Sequence, residues 1–394
     1  MQLVFIGEPY PQNVQKMLFL ADSALHEGKP GSSWRIAAIP LLEQLGYDGI
    51  VYIPEDREGC PTTAALADEA RVKWIRGALM RSDVIVFWLS EDLKSMSNIV
   101  MGVELGWLMQ SGRIVLGAPL ETEEISALQI YAREFHVPFY QGLPEAFREA
   151  VKRIGVGAQR HSGEAAVPLS IWRTESFQEW LRAQKKVGNR LDDAHVEWIG
   201  RVGPSGSIVF FWIMYVKVWI QDEGRYKENE WIIGRPDISS ILLYMPHPTD
   251  PMETKIVLVR EFRSPASNSQ AKIYELPGGS TFKSGVNPYT LVVQELQEET
   301  GFTLSEDHKL RSHAPRQLNG TLSTHKCHLF SLELTPGEMS DIEEVVGKTF
   351  GNSEDTERTT LIVMSLRELL RADYADYATI GMILQALADN TVIR

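Results

Sequence analysis

Glu295, Glu298 and Glu299 stand at i, i+3 and i+4 in the run YTLVVQELQEETG, residues 289–301. On a helix that spacing projects all three carboxylates from one face toward one point. Like charges so placed repel one another, and a divalent cation with hard oxygen ligands relieves the repulsion. The segment has helix punctuation at both ends. Asn287 is a side-chain cap, Pro288 fits the first turn, and Gly301 supplies a left-handed stop. Leu291, Val292 and Leu296 give the opposite face something to bury. Upstream, IYELPGG at residues 273–279 supplies a tight turn to lie against the acids. A solvated acidic helix end is the plain alternative.

Together these residues resemble the Nudix box, Gly-x5-Glu-x7-Arg-Glu-apolar-x-Glu-Glu-x-Gly. Counted from Gly279, the loop here is one residue longer; Val286 stands at the box's first Glu and Gln294 at its Arg. The resemblance implies magnesium or manganese held by Glu295, Glu298 and Glu299, with Glu298 and Glu299 helping to activate water. Glu275, before the Pro-Gly-Gly turn, is where related enzymes add a metal contact. The run VREFRSP at 259–265 resembles the strand before the box in Nudix enzymes acting on ADP-ribose and nucleotide sugars. Arg260 and Arg263 would there contact a diphosphate, which guanidinium groups bind in bidentate fashion. An ion pair with Glu261 or Glu275 is the structural alternative. The acidic stretch with Glu354, Asp355 and Glu357 is a candidate source of a catalytic base.

A second constellation lies near the start of the chain. SDVIVFW at 82–88 is followed by MGVELGW at 101–107 and GRIVL at 112–116. Glu104 is expected early in a helix that follows a sheet strand, where the helix dipole favours an ionised carboxylate. In open parallel sheets ligands bind at that strand-to-helix edge. The pattern looks like the nucleoside 2-deoxyribosyltransferase-like superfamily over roughly residues 1 to 150. The resemblance makes Glu104 the nucleophile toward an anomeric carbon, as in retaining glycosyl chemistry. Asp83 and Asn98 fall at positions expected to contact substrate. The family's acid at Asn98, its acid at Ile75 and its tyrosine at Phe5 are replaced; Glu8, Asp68 and Glu69 are candidate substitutes. Trp34 and Arg35, after the serine-bearing stretch 31–33, could stack a base and hold a phosphate.

The elements needed to position these groups are readable from periodicity. Short apolar runs at 3–6, 49–53, 84–89 and 114–116 alternate with amphipathic stretches near 34–45, 64–80, 100–110, 123–133 and 144–154. That alternation predicts a parallel sheet with helices on both faces. Residues 157–166 read as a linker and 170–187 as a helix, and beyond 206 the chain turns strand-rich. The fold class expected is an α/β flavodoxin-like domain followed by an α+β Nudix sandwich. The domains would be 1–156, a linker and helical segment at 157–205, and 206–394.

The chain has 394 residues and a net charge of −13. An acidic balance disfavours nucleic-acid polymers and anionic membranes as partners. Cys60 and Cys327 have no partner motif, so neither a disulfide framework nor a zinc site is expected. The longest apolar run, 208–216, is too short to span a bilayer, and a cytoplasmic protein is expected. The functional expectation is a bifunctional nucleotide-processing enzyme: metal-dependent hydrolysis of a nucleoside diphosphate linked to another group, with N-glycosidic cleavage or transfer through Glu104. Its partner is a small-molecule nucleotide, and a homodimer through the Nudix domain is left open. Two alternatives stand beside it: a nucleotide sensor without turnover, and an NAD glycohydrolase coupled to hydrolysis of the ADP-ribose it releases.

Overall fold

The computed structural model describes residues 1–21, 34–57, 68–89, 96–119, 125–203, 206–283, 285–350 and 358–393. Side chains of 96–101 lie outside that description, as do Cys60, Glu354, Asp355 and Glu357. The chain forms two compact units, Met1–Gly234 and Arg235–Arg394.

In the first unit six strands form a wholly parallel sheet: β1 (Gln2–Phe5), β3 (Met17–Ala21), β4 (Ile50–Ile53), β5 (Val84–Trp88), β6 (Ile114–Gly117) and β7 (Phe139–Tyr140). Their order is β1-β4-β3-β5-β6-β7. Strands β3, β4, β5 and β6 are buried at every residue, as expected of strands covered on both faces. Five helices supply the cover: α1 (Trp34–Gln44), α2 (Asp68–Arg81), α3 (Met96–Leu108), α4 (Ser126–Glu134) and α5 (Leu143–Ile154). Helices α2, α3 and α4 share one apolar core with the sheet, and α1 and α5 share the other. The chain steps from β3 back to β4 and then across to β5, so the winding reverses at β3, where the crevice of a doubly wound sheet opens.

A short ladder joins β2 (Asn13–Val14) to β8 (Arg160–His161). Helices α6 (Leu169–Trp172) and α7 (Glu175–Lys186) follow. The antiparallel strands β9 (Arg190–Val202), β10 (Ile208–Ile220) and β11 (Arg225–Gly234) then form a meander. Alternate β10 residues Trp212, Met214, Val216 and Val218 bury against Val167, Ile171, Phe177 and Leu181. The domain boundary expected at 205/206 therefore lies at 234/235, because the meander shares its core with α6 and α7. The linker expected at 157–166 is corrected as well. Arg160 is fully buried, and Gly163 to Ala166 form a buried 3-10 turn.

Three helices of this unit end on an arginine donated from another element. Arg113 Nη1 donates to the carbonyls of Leu79, Met80 and Ser82 at the end of α2. Arg201 of β9 donates to Ser111 O just beyond α3, at 2.9 Å. Arg173 donates to Arg153 O and Ile154 O at the end of α5. Cations at helix C-termini meet unsatisfied carbonyls and the negative end of the dipole. Gly112 (φ 66°) lies so close beneath Arg201 that an added Cβ would come 2.2 Å from the guanidinium carbon.

The second unit is a mixed sheet with helices. Its strands are β12 (Ile238–Met245), β13 (Lys255–Phe262), β14 (Lys272–Glu275), β15 (Gly278–Ser280), β16 (Arg311–Ser312), β17 (Arg316–Gln317), β18 (Lys326–Glu333), β19 (Thr349–Phe350) and β20 (Thr359–Ser365). β12 pairs parallel with β18 and antiparallel with β13 and β15. The helices are α8 (Pro288–Thr300), α9 (Pro336–Glu344), α10 (Leu366–Arg371) and α11 (Tyr377–Asp389). Helix α8 shares its core with β12, β13, β18 and α9, whereas α10 and α11 bury against the other core. Both units thus have α/β character. Among the described residues no helix is long and apolar enough to cross a membrane.

Candidate functional site

Helix α8 begins and ends as its sequence predicts. Asn287 Oδ1 accepts from Tyr289 N at 2.8 Å, and Gly301 closes the helix in the left-handed conformation with φ 72°. Leu291, Val292 and Leu296 are buried, which turns the acidic face toward the turn before β15. Glu299 Oε2 accepts from Gly278 N at 2.8 Å. Glu295 lies against Gly279 so closely that a Cβ there would sit 2.5 Å from its Oε1. At Gly278 the close approach is made by backbone: an added Cβ would be 2.2 Å from Ser239 O. Glycine is therefore demanded at Gly278 by the backbone of β12, whereas at Gly279 the obstacle is the movable end of the Glu295 side chain.

The three carboxylates do not play one part. Glu295 and Glu299 are half-buried against the turn, and Glu298 is exposed. Among the described residues no three His, Cys, Asp or Glu side chains are gathered closely enough to hold a metal ion. The donor chemistry, all carboxylate oxygen, suits magnesium or manganese. One Glu299 oxygen already accepts from Gly278, and of the three carboxylates it is the exposed Glu298 that can change rotamer without leaving a buried contact. Glu275, the expected additional ligand, instead pairs with Arg263 at 3.2 Å.

Arg263 also pairs with the buried Glu261 at 2.9 Å, so the ion-pair alternative describes its present contacts. Arg260 on β13 pairs in register with Tyr274, and its buried Nε has no hydrogen-bond partner among the described residues. Arg235 was not anticipated. Its Nη2 donates to Ser280 Oγ at 3.4 Å; burial, then the charge of Arg263, lowers its pKa, while Glu275 opposes the shift. The signal that finds it is strand register: Ile238 pairs with Ser280, which carries the start of β12 to the turn. His325 bonds Ser323, and His328 bonds Asp237.

In the first unit Glu104 is the ninth of thirteen residues of α3, not in its first turn. The expected support from the helix N-terminus is absent by position, since the dipole acts over a single turn. Burial instead pushes its carboxyl up to about 7. Asn98 lies in α3, with its side chain outside the described set.

Asp83 is corrected from substrate contact to structural anchor. Both its oxygens are taken by the guanidinium of Arg160, at 2.7 Å each, and they accept further from Met17 N and Leu169 N. Arg35 is likewise buried; its Nε donates to Leu20 O at 3.0 Å and its guanidinium pairs with Glu55. Trp34, half-buried, packs its ring near Trp88 and Phe147, each 6.4 Å between centroids, against the core beneath α1. Phe5 lies under the guanidinium of Arg57, which pairs with Glu8 at 2.7 Å. Arg57 holds the Glu8 carboxyl below its usual range, so Glu8 makes a poor proton donor. Asp68 and Glu69 are exposed in the first turn of α2. Among the described residues Glu104 thus stands with Asp68 and Glu69 as expected groups that are neither core packers nor ion-paired, and of the three Glu104 alone is partly buried.

No protein-family model matches the chain, and no curated protein matches its sequence.

Proposed function

We propose that the chain is a two-site nucleotide-processing enzyme, with a Nudix-type pyrophosphohydrolase in the second unit and an N-glycosidic site at Glu104 in the first. The observation that carries the reading is the bond from Gly278 N to Glu299, together with Glu295 against Gly279. A helix whose acids are clamped onto a Pro-Gly-Gly turn has a use for both at one place. Glu295, Glu298 and Glu299 would hold magnesium or manganese, which when bound neutralises pyrophosphate charge and acidifies water. The residues' own work is to orient: Gly278 fixes one oxygen of Glu299, and the exposed Glu298 carries the adjustable ligand. Arg260, Arg263 and Arg235 supply guanidinium groups for a diphosphate, with Arg263 exchanging Glu275 and Glu261 for phosphate oxygens.

At the first site the ionised fraction of Glu104, about half near neutral pH, would act as the nucleophile: its carboxylate bonds to the anomeric carbon as the bond to the base breaks, and water or a second base then displaces the ester. Pyrophosphate cleavage yields a nucleoside monophosphate that such a site could deglycosylate; in the reverse order, nicotinamide leaves NAD first and ADP-ribose is then hydrolysed.

The test is incubation of the full chain with magnesium and ADP-ribose, NAD, nucleotide sugars and deoxynucleotides, with products resolved by chromatography. Turnover of a diphosphate-linked compound supports the reading. Tight binding of one compound without product from any would replace it with the sensor reading, which the Arg263–Glu275 pair and the outward Glu298 favour.

A further inference from the structure

Helices α2, α3 and α4 form one layer, packed through Trp74, Ala78, Leu105, Leu108 and Ala132 onto one side of the parallel sheet. Their opposite side is apolar too. Val103 is 68% exposed, Val72 59%, Tyr131 57%, Ile130 53% and Trp107 46%. Single exposed apolar side chains are ordinary, but five on three neighbouring helices form a patch of the kind that marks an interface. Helices α2 and α3 are tied at this surface by Arg76, whose guanidinium lies 5.4 Å from the Trp107 ring centroid. Beside Val103 and Trp107 stand Gly102 and Gly106, one helical turn apart; beyond their own helix backbone and chain neighbours, no atom of the described residues lies within 4 Å of where a Cβ would be. Glycines so spaced make a shallow groove that admits the side-chain ridge of another helix.

We propose that this α2–α3–α4 face is where a second copy of the chain docks, about a two-fold axis. Charge argues for that occupant. The chain carries −13, so two copies repel one another over most of their surface. On this layer the exposed charges are Asp68, Glu69 and Glu134 against Lys73, Arg76 and Arg133, which cancel. Helix α2 is itself graded, acidic at its start and basic further on. A two-fold axis running across α2 sets the helix antiparallel to its copy, so that acids face bases. A strongly charged partner would find no matching field here. Area agrees. Thirteen helical residues span about 20 Å, and three helices about 10 Å apart give a face on the order of 600 Å² before side-chain relief is counted, near the roughly 800 Å² per partner of a standard interface.

Sedimentation velocity on the full chain at micromolar concentration tests the proposal. The expected mass is twice the 44.4 kDa of one chain. Val103→Glu places like charges across the axis and should weaken the dissociation constant by roughly a hundredfold or more, and Ile130→Glu should act likewise from α4. Both positions are exposed, so far-ultraviolet dichroism and the melting midpoint of each variant should match the parent. If V103E unfolds, I130E carries the test alone. A monomeric parent overturns the proposal, and so does a dimer that survives well-folded variants at both positions.

Discussion

Arg160 and Asp83 meet through two 2.7 Å bonds with neither side chain reaching solvent, 77 residues apart in sequence. The carboxylate sits at the start of β5, in the middle of the parallel sheet, and the guanidinium enters from the segment beyond α5. Through Arg160 Nη1 to Val167 O and Leu169 N to Asp83, the same pair holds the chain that leads into α6. Removing one partner of a buried pair strands the other charge, which typically costs about 3–5 kcal/mol. Asp83→Ala and Arg160→Ala should each lower the free energy of the first unit's unfolding by that order in urea titrations. A change under about 1 kcal/mol, the range of an exposed pair, would contradict the anchoring role.

Glu104 gives a pH dependence with a definite sign. Its carboxyl lies at about 7 in the fold against an ordinary 4.5. Folding thus favours the protonated form; the stabilisation is fully present below pH 4.5 and is lost as pH rises through 7. Glu104→Gln, neutral throughout, should therefore gain stability over the parent at pH 8 relative to pH 5. Glycosidic turnover limited by the ionised form should climb about tenfold per unit below pH 7 and level off above it. Melting midpoints and a rate profile across pH 5 to 9 check both.

Gly278 is predicted to be intolerant of the smallest side chain. A Cβ 2.2 Å from Ser239 O cannot be met by rotating a side chain, because the obstacle is backbone. Gly278→Ala should separate β15 from β12 and cost the second unit about 1–3 kcal/mol. Amide exchange at Ile238, Ser240 and Gly278 should accelerate together.

Glu298→Gln is expected to leave stability within about 0.5 kcal/mol of the parent, since the side chain is exposed and away from any buried contact. Manganese binding, read by the line intensity of the free aqueous ion, should weaken by at least about tenfold. Glu299→Gln should affect both quantities, because Glu299 also receives Gly278 N.

Local chemistry was legible from the sequence, and distant pairing was not. The α8 boundaries followed from Asn287, Pro288 and Gly301, and the parallel sheet from apolar runs alternating with helical periodicity. The 157–166 segment was misread because Gly157 and Gly163 resemble linker residues. Both in fact sit where backbone closes in, on Gln15 O and Asp192 O. Asp83 resembled a site acid because nothing local reveals Arg160. Arg235 carries no motif at all and meets Ser280 only through the pairing of β12 with β15. Glu104 was recognised by type, but its helix starts at Met96, earlier than the periodicity suggested, which moves it away from the dipole's positive end.

The arginines at the ends of α2, α3 and α5 bear on how the first unit comes apart. Arg201 belongs to the meander and Arg173 to the segment before it, yet their bonds terminate helices of the parallel-sheet layer. Detaching the meander would uncap α3 and open the Gly112 crossing, while freeing the α6 region would uncap α5 and expose Asp83. The tether expected at 157–166 is then no hinge. Residues 1–234 should melt in a single cooperative step, and a protease cut within that tether should lead to loss of the whole unit instead of release of a trimmed α/β core.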